Sequence, residues 1–535
     1  LLGKVPKSTK TIVLHGSKLD IASALVNNQP AEVKVLADSQ EIELNLDKTI
    51  AADTEVEVAI KYSSEIRDNM YGLYRSKFKD EEGEEQTILT TQFEANHARD
   101  MLPCVDEPEA KAVFHLSITA PEGLSTVSNT EVVSVDSKDG ESTTNFAPTP
   151  KMSTYLLAIV VGELAYLEGK TKDGVRVRVY ATSSNVEHTK FALECATATL
   201  EFFNRYFDIP YPLEKCDLLA LPDFAAGAME NWGCITFREQ ALLVDEENTS
   251  FAVKQYVADV VAHELAHQWF GNLVTMQWWN DLWLNEGFAT WVARLAVDEM
   301  FPEWKIWEDF VVEDVLRALS LDGLSNSHPI EVEVKDPDEI DEIFDAISYS
   351  KGAAVIHMLH SYLGADDFRH GLQNYLKANS LSNTTTNDLW QSLEETSQKP
   401  VAKFMSSWTK QTGYPLISYE KTDSGLKVNQ ARFLLLKQSD IQPQTWHVPI
   451  SLANYPDKQF LLDKTSANFD IKIDGAPKFN PGQNSFYRTL YQPDDLQQIS
   501  SSLADMEALD CINIIDDAFE LSEAGRQKLV DVIPL

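Results

Sequence analysis

The stretch at positions 263–267 constrains this chain more than any other part of its sequence. It reads HELAH, and the apolar run at 257–262 before it contains neither proline nor glycine, which predicts a buried helix through the motif. Positions i and i+4 lie on one face of a helix, so His263 and His267 point in the same direction. Glu286 follows after eighteen further residues, at the start of a second apolar helical pattern.

This spacing provides three protein ligands for one Zn²⁺ ion per chain, namely His263, His267 and Glu286. Three ligands with an open fourth position are typical of a catalytic zinc site, whereas structural sites are closed. The alternative interpretation, two histidines satisfied in the core of a helix, leaves the third residue unexplained. An HEXXH string arises by chance in roughly one or two of a hundred chains of this length. The residues around the motif are therefore needed to decide.

Glu264 is the candidate general base beside this metal. It is adjacent to a ligand in sequence but is not required as one. A zinc ion is a Lewis acid that polarises a carbonyl and makes water easier to deprotonate. A carboxylate next to it is suited to take a proton from the attacking water and to pass it to the departing amine.

Several further motifs surround the zinc signature. They are TQFE at 91–94, PCVDEP at 103–108, GAMENWG at 227–233, HELAHQWFGN at 263–272, NSHPIE at 326–331 and SYSKG at 348–352. Together they resemble the gluzincin aminopeptidases of the aminopeptidase N family, over nearly the whole chain. The resemblance implies a zinc-dependent hydrolase that removes the N-terminal residue from oligopeptides with a free N-terminus.

The resemblance also assigns roles to two glutamates. Glu230, in a loop between two strand-like runs, matches the carboxylate that binds the protonated α-amine of the peptide. Glu94 resembles the second carboxylate that grips the same amine. Two carboxylates that bind one ammonium fix the N-terminus one residue away from the scissile bond. Such an enzyme is an exopeptidase. Outside these motifs, either glutamate would more often be a solvated surface carboxylate.

The remaining assignments concern the oxyanion and the substrate's first residue. Tyr349 resembles the tyrosine that donates a hydrogen bond to the oxyanion, a role suited to a phenol because it donates without carrying charge. Without the resemblance it would be a core tyrosine on the helix that continues through 353–356. Other matched residues line the pocket for the first side chain (Gln92, Met229) or contact the substrate main chain (Gly227, Ala228, Asn231).

The charge of the chain excludes some partners. Its 535 residues include 83 acidic and 45 basic side chains, which give a formal net charge of −38. Such a field repels nucleic acid and anionic lipid and attracts cationic peptides. We therefore expect peptide substrates and no nucleic-acid partner, and the sequence leaves the oligomeric state open.

The compartment is predicted from segments that the sequence lacks. There is no apolar run of about 18 residues, so no transmembrane helix is predicted, and the first residues do not have the shape of a signal peptide. The five cysteines include no C-x-x-C pair and predict neither a disulfide framework nor a second zinc site. We expect a cytoplasmic location, with an extracellular or membrane-anchored one as the alternative if the chain is part of a longer ectodomain.

The pattern along the chain predicts a multidomain α+β protein with four parts. Residues 1–169 alternate apolar and polar side chains, as an N-terminal antiparallel β-sandwich does. Residues 170–413 begin with strands and become helical, and the resemblance implies a thermolysin-like catalytic domain. Residues 414–500 return to short strands of a small β-sandwich. Residues 501–535 are predicted to begin a truncated C-terminal helical domain.

That last part carries an apolar stripe at helical spacing, formed by Leu509, Ile512, Ile515 and Phe519, which needs a partner. The resemblance implies that a large helical domain continues from here and caps the active site. We therefore expect either a fragment or a short form with an open cleft.

Three other functions stay open at this point. A bifunctional epoxide hydrolase with aminopeptidase activity shares the zinc motif, but that enzyme has glutamine in place of Glu94. A truncated, inactive peptide-binding form could keep the motifs without turnover. A thermolysin-type endopeptidase would have no use for two carboxylates that grip an amine. The acidic stretch at 336–342 lacks the spacing of a calcium loop, and His357 with His360 lacks a third ligand nearby in the sequence.

Overall fold

The computed structural model describes residues 1–80, 82–335, 337–436 and 442–533 and confirms the mixed α+β class. Its strands are β1 (Leu2–Lys4), β2 (Thr9–His15), β3 (Asp20–Val26), β4 (Gln29–Pro30), β5 (Glu32–Leu36), β6 (Glu41–Ile50), β7 (Glu55–Ser63), β8 (Gly72–Lys79), β9 (Glu85–Gln92), β10 (Ser117–Pro121), β11 (Ser125–Ser128), β12 (Val132–Lys138), β13 (Glu141–Phe146), β14 (Ile159–Gly162), β15 (Ala165–Lys170), β16 (Arg176–Ala181), β17 (Lys215–Leu221), β18 (Ala228–Met229), β19 (Cys234–Arg238), β20 (Val274–Met276), β21 (Ser382–Thr384), β22 (Pro415–Thr422), β23 (Gly425–Arg432), β24 (Val448–Ser451), β25 (Gln459–Leu462), β26 (Ser466–Phe469) and β27 (Arg488–Leu490). Its α-helices are α1 (Lys190–Phe207), α2 (Phe251–Ala266), α3 (Trp283–Met300), α4 (Ile306–Phe310), α5 (Leu316–Asp322), α6 (Gly352–Leu363), α7 (Ala365–Ala378), α8 (Thr386–Ser397), α9 (Val401–Thr409), α10 (Pro493–Ser500), α11 (Ala508–Glu523) and α12 (Leu529–Val532).

Contacts divide the chain into two compact units. The first unit comprises Leu1–Phe202, Pro210–Trp278 and Leu381–Asn383, and the second comprises Phe203–Ile209, Trp279–Ser380 and Thr384–Leu535. The bounds of the four parts derived from the sequence pattern stay predictions. None of the helices in the described ranges is long and apolar enough to cross a membrane.

The first unit begins with antiparallel sheets. Two of them have the strand orders β1-β7-β3-β4 and β2-β6-β5. Strand β7 alternates as predicted, with Val56 and Val58 buried between exposed neighbours. The inward-facing residues of both sheets share one apolar cluster (Leu14, Leu19, Ala24, Val26, Ile42, Leu44, Val58). This packing of two sheets through alternating side chains is that of a β-sandwich.

A mixed sheet in the same unit positions the GAMENWG loop. Its order is β15-β16-β17-β19-β18, and β16, β17 and β19 run parallel to one another. Strand β17 is buried along its whole length, as a central parallel strand is. The short strand β18 pairs antiparallel with β19, so the loop at 227–233 is held at the edge of this sheet.

In the second unit, α3 and α6 pack together at two glycines. A Cβ atom built on Gly287 would lie 3.2 Å from the Cα atom of Gly352. Only residues without a side chain allow helices to approach this closely. The C-terminal part adds a four-stranded sheet with the order β26-β23-β22-β27 and the hairpin of β24 and β25.

The apolar stripe predicted near the end of the chain does not coincide with the buried face of α11. Ile515 and Phe519 are 37% and 48% exposed, whereas Asn513 and Asp517 are buried. Asp517 accepts hydrogen bonds from the Arg488 side chain and from the backbone N–H of Thr489. The buried face of α11 thus combines the apolar residues Ile514, Ala518 and Leu521 with paired polar groups, and the predicted stripe lies beside it.

Candidate active site

Helix α2 presents the two predicted metal-binding histidines at its C-terminal end. The helix starts at Ser250, whose side chain accepts a hydrogen bond from the backbone N–H of Val253. His263 lies in its last turn and His267 follows as the C-cap. Their Nε2 atoms face each other at 3.0 Å. The separation expected for two nitrogens bound to one tetrahedral zinc ion is about 3.3 Å, so the pair fits such an ion.

The second ring nitrogen of His267 supports the same assignment. Nδ1 lies 3.0 Å from the carbonyl oxygen of Phe270, to which it can only donate. That donation puts the proton on Nδ1 and leaves the lone pair of Nε2 directed at His263. Metal-binding histidines are commonly oriented by a hydrogen bond of this kind.

Glu264 and Glu230 lie next to this histidine pair, and both side chains are buried. A carboxylate oxygen of each and a ring nitrogen of His267 lie within 4.8 Å of one another. Glu264 therefore lies beside one of the predicted metal ligands, His267. Glu230 reaches the same point from the loop between β18 and β19.

Glu94 is the second carboxylate at this place in the first unit. It follows β9 by two residues, and one of its oxygens lies within 4.8 Å of an oxygen of Glu230. Two carboxylates at such a distance repel each other, and a cation bound to both stabilises the ionised pair. The arrangement suits a positively charged group of a ligand.

The predicted side-chain pocket residues also meet. The Nε2 atom of Gln92 lies 3.4 Å from the sulfur atom of Met229, and both side chains are buried. The loop behind them is fixed by its own hydrogen bonds, since Arg238 N–H donates to the Gly227 carbonyl at 2.9 Å. The Asn231 amide donates to the Thr236 hydroxyl at 3.1 Å, so this loop is ordered by short-range contacts.

The second unit contains the other two predicted site residues. Glu286 is buried in the first turn of α3. Tyr349 lies in a π-helical turn, Ile347–Lys351, that immediately precedes α6, whereas the alternative interpretation placed it on that helix. Because α3 and α6 meet at Gly287 and Gly352, these two turns are neighbours in the unit. Single π-helical turns occur frequently at functional sites.

The turn that carries Tyr349 is anchored by a carboxylate. One Asp345 oxygen accepts the backbone N–H groups of Ile347 and Ser348, at 2.9 and 3.1 Å. The other oxygen lies 2.7 Å from Nε2 of His328. The hydrogen bond that the ring of His328 donates to Asp345 raises the pKa of His328. Burial acts to raise the pKa of Asp345, but the hydrogen bonds from His328 and the backbone outweigh it and lower that pKa.

A buried ion pair lies under the same turn. The Nζ atom of Lys351 lies 2.9 Å from an Asp322 oxygen, and both side chains are fully buried. The other Asp322 oxygen accepts the Ser327 hydroxyl at 2.6 Å and the Gly413 N–H at 3.0 Å. The SYSKG and NSHPIE motifs are thus joined through Asp322, a residue that sequence analysis did not single out.

Comparison with known proteins identifies the family. The family model described as "Peptidase family M1 domain" matches residues 191–408, and the model described as "Peptidase M1 N-terminal domain" matches residues 2–156. The chain belongs to peptidase family M1. The resemblance inferred from the motifs is therefore confirmed.

Curated relatives of this M1 chain are named as aminopeptidases. Aminopeptidase M1 of Arabidopsis thaliana is 44% identical over 557 residues, which cover 98% of this chain and 63% of the relative. Puromycin-sensitive aminopeptidase of Caenorhabditis elegans is 41% identical over 552 residues, covering 99% of this chain and 58% of the relative. Aminopeptidase 2, mitochondrial, of Saccharomyces cerevisiae is 42% identical over 483 residues, which cover 89% of this chain and 50% of the relative. The chain thus spans less than two thirds of the length of these relatives, whose names do not favour the epoxide-hydrolase alternative.

One supporting residue of this M1 chain escaped the sequence analysis. Lys215 is buried in β17, and its ammonium group donates to the carbonyl of Gly233 at 2.7 Å and pairs with Asp217 at 2.8 Å. Asp217 also binds Arg178 through two hydrogen bonds of 2.7 Å. A lysine and an aspartate two positions apart in an otherwise apolar strand are a signal that could have revealed this support for the loop.

Two other sequence candidates lie outside this site. Nε2 of His357 donates to Asn484, Nδ1 accepts from the Trp291 indole, and burial lowers the pKa of His357 to about 4. Together with its neighbour His360, whose pKa burial also lowers, it belongs to an aromatic cluster and is a core histidine. The acidic stretch begins at a position outside the described residues, and its remainder forms part of the 3₁₀ segment Pro337–Ile343.

Proposed function

We propose that this protein is a zinc aminopeptidase that hydrolyses the N-terminal peptide bond of oligopeptides. The observation that carries the proposal is the approach of the Glu94 and Glu230 carboxylates, within 4.8 Å of each other, with Glu230 next to His267. This combination places a cation-binding pair beside metal-binding nitrogens. Membership of peptidase family M1 and the names of the relatives support it.

The metal is assigned to His263, His267 and Glu286. The facing Nε2 atoms of the two histidines and the hydrogen bond that orients His267 support the first two ligands. The assignment of Glu286 rests on the spacing of the motif and on the family. When bound, Zn²⁺ supplies a Lewis acid that polarises the substrate carbonyl and lowers the pKa of water.

Glu264 is proposed to move the proton. As a carboxylate it accepts a proton from the attacking water, and as a carboxylic acid it then protonates the departing amine. Its buried position next to His267 supports this role, because it places a carboxylate oxygen beside a proposed metal ligand. One residue thus serves as base and then as acid.

Glu94 and Glu230 are proposed to bind the α-ammonium group of the substrate. A single ammonium between two carboxylates removes their mutual repulsion and fixes the distance from the N-terminus to the scissile carbonyl. N-acetylated peptides carry no charge there and would not offset this repulsion. We therefore expect an exopeptidase that rejects blocked peptides.

The other residues are proposed to hold the rest of the substrate. Tyr349 donates a hydrogen bond to the oxyanion, an interaction worth about 10² to 10³ in rate when such a donor is lost. Gln92 and Met229, which touch each other, line the pocket for the first side chain. Gly227, Ala228 and Asn231 contact the substrate main chain from the loop.

A direct test measures zinc content by mass spectrometry and turnover of an aminoacyl fluorogenic substrate on this 535-residue chain. We expect about one zinc ion per chain and turnover that is lost with a chelator and restored by zinc. Zinc without turnover, together with peptide binding, would instead identify the inactive peptide-binding form. Efficient cleavage of N-acetylated peptides would overturn the assignment as an aminopeptidase.

Partners and compartment follow from charge and cysteine content. The net charge of −38 favours cationic peptides over nucleic acid, which the chain is proposed not to bind. All five cysteines are free thiols, which suits the reducing cytoplasm. Cell fractionation with detection of the endogenous protein tests the proposed cytoplasmic location.

A further inference from the structure

The turn that follows α2 holds the Glu230 backbone through two amide side chains. Nε2 of Gln268 donates to the Glu230 carbonyl at 3.1 Å and to the Glu264 carbonyl at 2.9 Å. Nδ2 of Asn272 donates to the same Glu230 carbonyl at 2.9 Å. Both amide side chains are 0% exposed. Buried amides donating to one carbonyl satisfy both of its lone pairs.

Gln268 also holds the far end of the same loop. Its Oε1 atom accepts the backbone N–H of Gly233 at 3.4 Å. One side chain therefore contacts the loop at Glu230 and three residues later, and contacts α2 at Glu264. These links make the loop and the last turn of α2 a single hydrogen-bonded assembly.

The turn that provides these amides also orients the metal-binding His267. The Phe270 carbonyl that faces Nδ1 of His267 belongs to it. The turn is closed by backbone hydrogen bonds from Asn272 to His267, at 3.0 Å, and from Val274 to Trp269, at 3.1 Å. His267 and Glu230 are thus both held by hydrogen bonds from one short segment of chain.

We propose that Gln268 and Asn272 are positioning residues for recognition of the substrate's α-amine. By fixing the peptide plane that follows the Cα atom of Glu230, they limit the directions its side chain can take toward Glu94 and His267. The proposal rests on the proposed function and names which residues set the geometry of its amine-binding pair. Neither side chain touches the substrate.

The alternative is that Gln268 has a purely structural role. The second unit contains a comparable glutamine that serves as a control. Gln430 is also a buried glutamine whose Nε2 donates to backbone carbonyls, those of Trp446 at 2.8 Å and Lys464 at 3.0 Å. Its Oε1 accepts the Trp446 N–H at 2.9 Å. Replacing Gln430 by methionine removes the same kind of contact without altering the loop that carries Glu230.

The test compares two ligands that differ only in the α-amine. Leucine hydroxamate and its desamino counterpart, 4-methylpentanohydroxamate, are titrated calorimetrically into the zinc-loaded wild type, Gln268→Met and Gln430→Met. The readout is the ratio of their dissociation constants, in which effects on the hydroxamate group and on the fraction of folded protein cancel. Zinc content and melting temperature are measured on the same samples.

We expect the preference for the amino ligand to fall about tenfold in Gln268→Met, the loss typical of a group that one or two buried hydrogen bonds no longer hold. Gln430→Met should melt at a lower temperature but keep the wild-type ratio. Asn272→Leu, which is uncharged and of similar size but lacks the donor, should lower the ratio as well. This variant keeps the test decisive if Gln268→Met does not fold.

A double variant excludes an indirect effect. Glu230→Gln abolishes most of the amine preference, and adding Gln268→Met to it should lower the ratio no further, because both act through one carboxylate. Ratios of the two dissociation constants within about twofold of wild type in both Gln268→Met and Asn272→Leu would overturn the positioning role. A wild type without preference for the amino ligand would instead overturn the amine-binding assignment itself, and with it the proposed function.

Discussion

The two units stabilise the segments that carry their candidate residues by different means. In the first unit, the loop that carries Glu230 is bound by neutral amides, Gln268 and Asn272. In the second unit, the turn that carries Tyr349 is bound by an ionisable pair, His328 with Asp345. Neutral hydrogen bonds do not titrate, whereas His328 changes charge near neutral pH. Sensitivity to pH in the supporting structure should therefore reside in the second unit.

The two units are alike in that each buries a lysine. Lys215 supports the Glu230 loop through Gly233, and Lys351 lies under the Tyr349 turn with Asp322. Buried ion pairs add little net stability, but breaking one by removing a single partner is costly. Substitution of either lysine should therefore destabilise the loop or turn that it supports, although neither lysine is assigned a chemical step.

The largest effect is expected from the group that transfers the proton. Glu264→Gln should lower kcat by about 10² to 10⁴, because an amide cannot accept the proton. Zinc content should be unchanged, since Glu264 is not one of the proposed ligands. Parallel measurement of turnover and bound zinc checks this, and a variant with full activity would remove Glu264 from the mechanism.

The buried lysine of the second unit is expected to give the largest effect on stability. Lys351→Met leaves the Asp322 charge buried without its cation and should cost about 3 to 5 kcal/mol, measured as a shift in urea-induced unfolding. Lys335→Met is the control, because the Lys335–Glu333 pair is exposed. It should change stability by less than about 0.5 kcal/mol. Equal effects of both variants would contradict the role given to the buried pair.

The chemical contribution of the second unit is tested at Tyr349. Tyr349→Phe removes one hydroxyl and should lower kcat by about 10² to 10³, with a much smaller change in KM, because the donor acts on the oxyanion. Steady-state kinetics on an aminoacyl fluorogenic substrate separates the two constants. If kcat stays within about twofold of wild type instead of falling by the expected factor, Tyr349 does not donate this hydrogen bond.

The smallest effect concerns the pH dependence of the His328–Asp345 pair. The pKa of His328 is raised, so its contribution to stability is complete below about pH 6.5, the ordinary value, and is lost as pH rises through the raised pKa. The pKa of Asp345 is lowered, so its contribution is present above about pH 4 and is lost as pH falls through the lowered pKa. The pair should therefore stabilise the fold most between these two values.

His328→Gln should remove this dependence while keeping a hydrogen-bonding side chain. Because both groups are about one third exposed, the difference in stability should stay below about 1 kcal/mol near pH 5.5 and vanish toward pH 8. Gln268→Met, by contrast, should show the same difference from wild type at both pH values. Thermal melts of the three proteins across this range check the contrast between the units, which fails if the two variants behave alike.

Local periodicity made part of the site predictable. The buried helix over 257–266 follows from an apolar run without breakers, and the shared face of His263 and His267 follows from the helical repeat. The alternation in β7 likewise predicted its buried residues. Each of these inferences uses residues within a few positions of one another, where covalent geometry alone sets direction.

Local patterns do not reveal where polar groups find partners inside the fold. On α11 the buried face contains Asp517, which binds Arg488, in addition to apolar residues such as Ile514. A paired charge can be buried, and no local pattern reveals the pair because Arg488 is 29 residues away. The π-helical turn at Tyr349 was missed for a similar reason, since the hydrogen bonds of Asp345 to its backbone reshape a stretch that reads as ordinary helix.

From the sequence alone came the metal-binding motif, the mixed α+β class and the family, because these depend on residue types at short, regular spacings. Only the tertiary structure brought the Glu230 carbonyl to the amide of Gln268, 38 residues along the chain, and the carboxylate of Glu94 to that of Glu230. Contacts of this kind depend on the path of turns and strands between the partners. Their geometry is decided when the interior packs, because only then must each buried polar group find its partner.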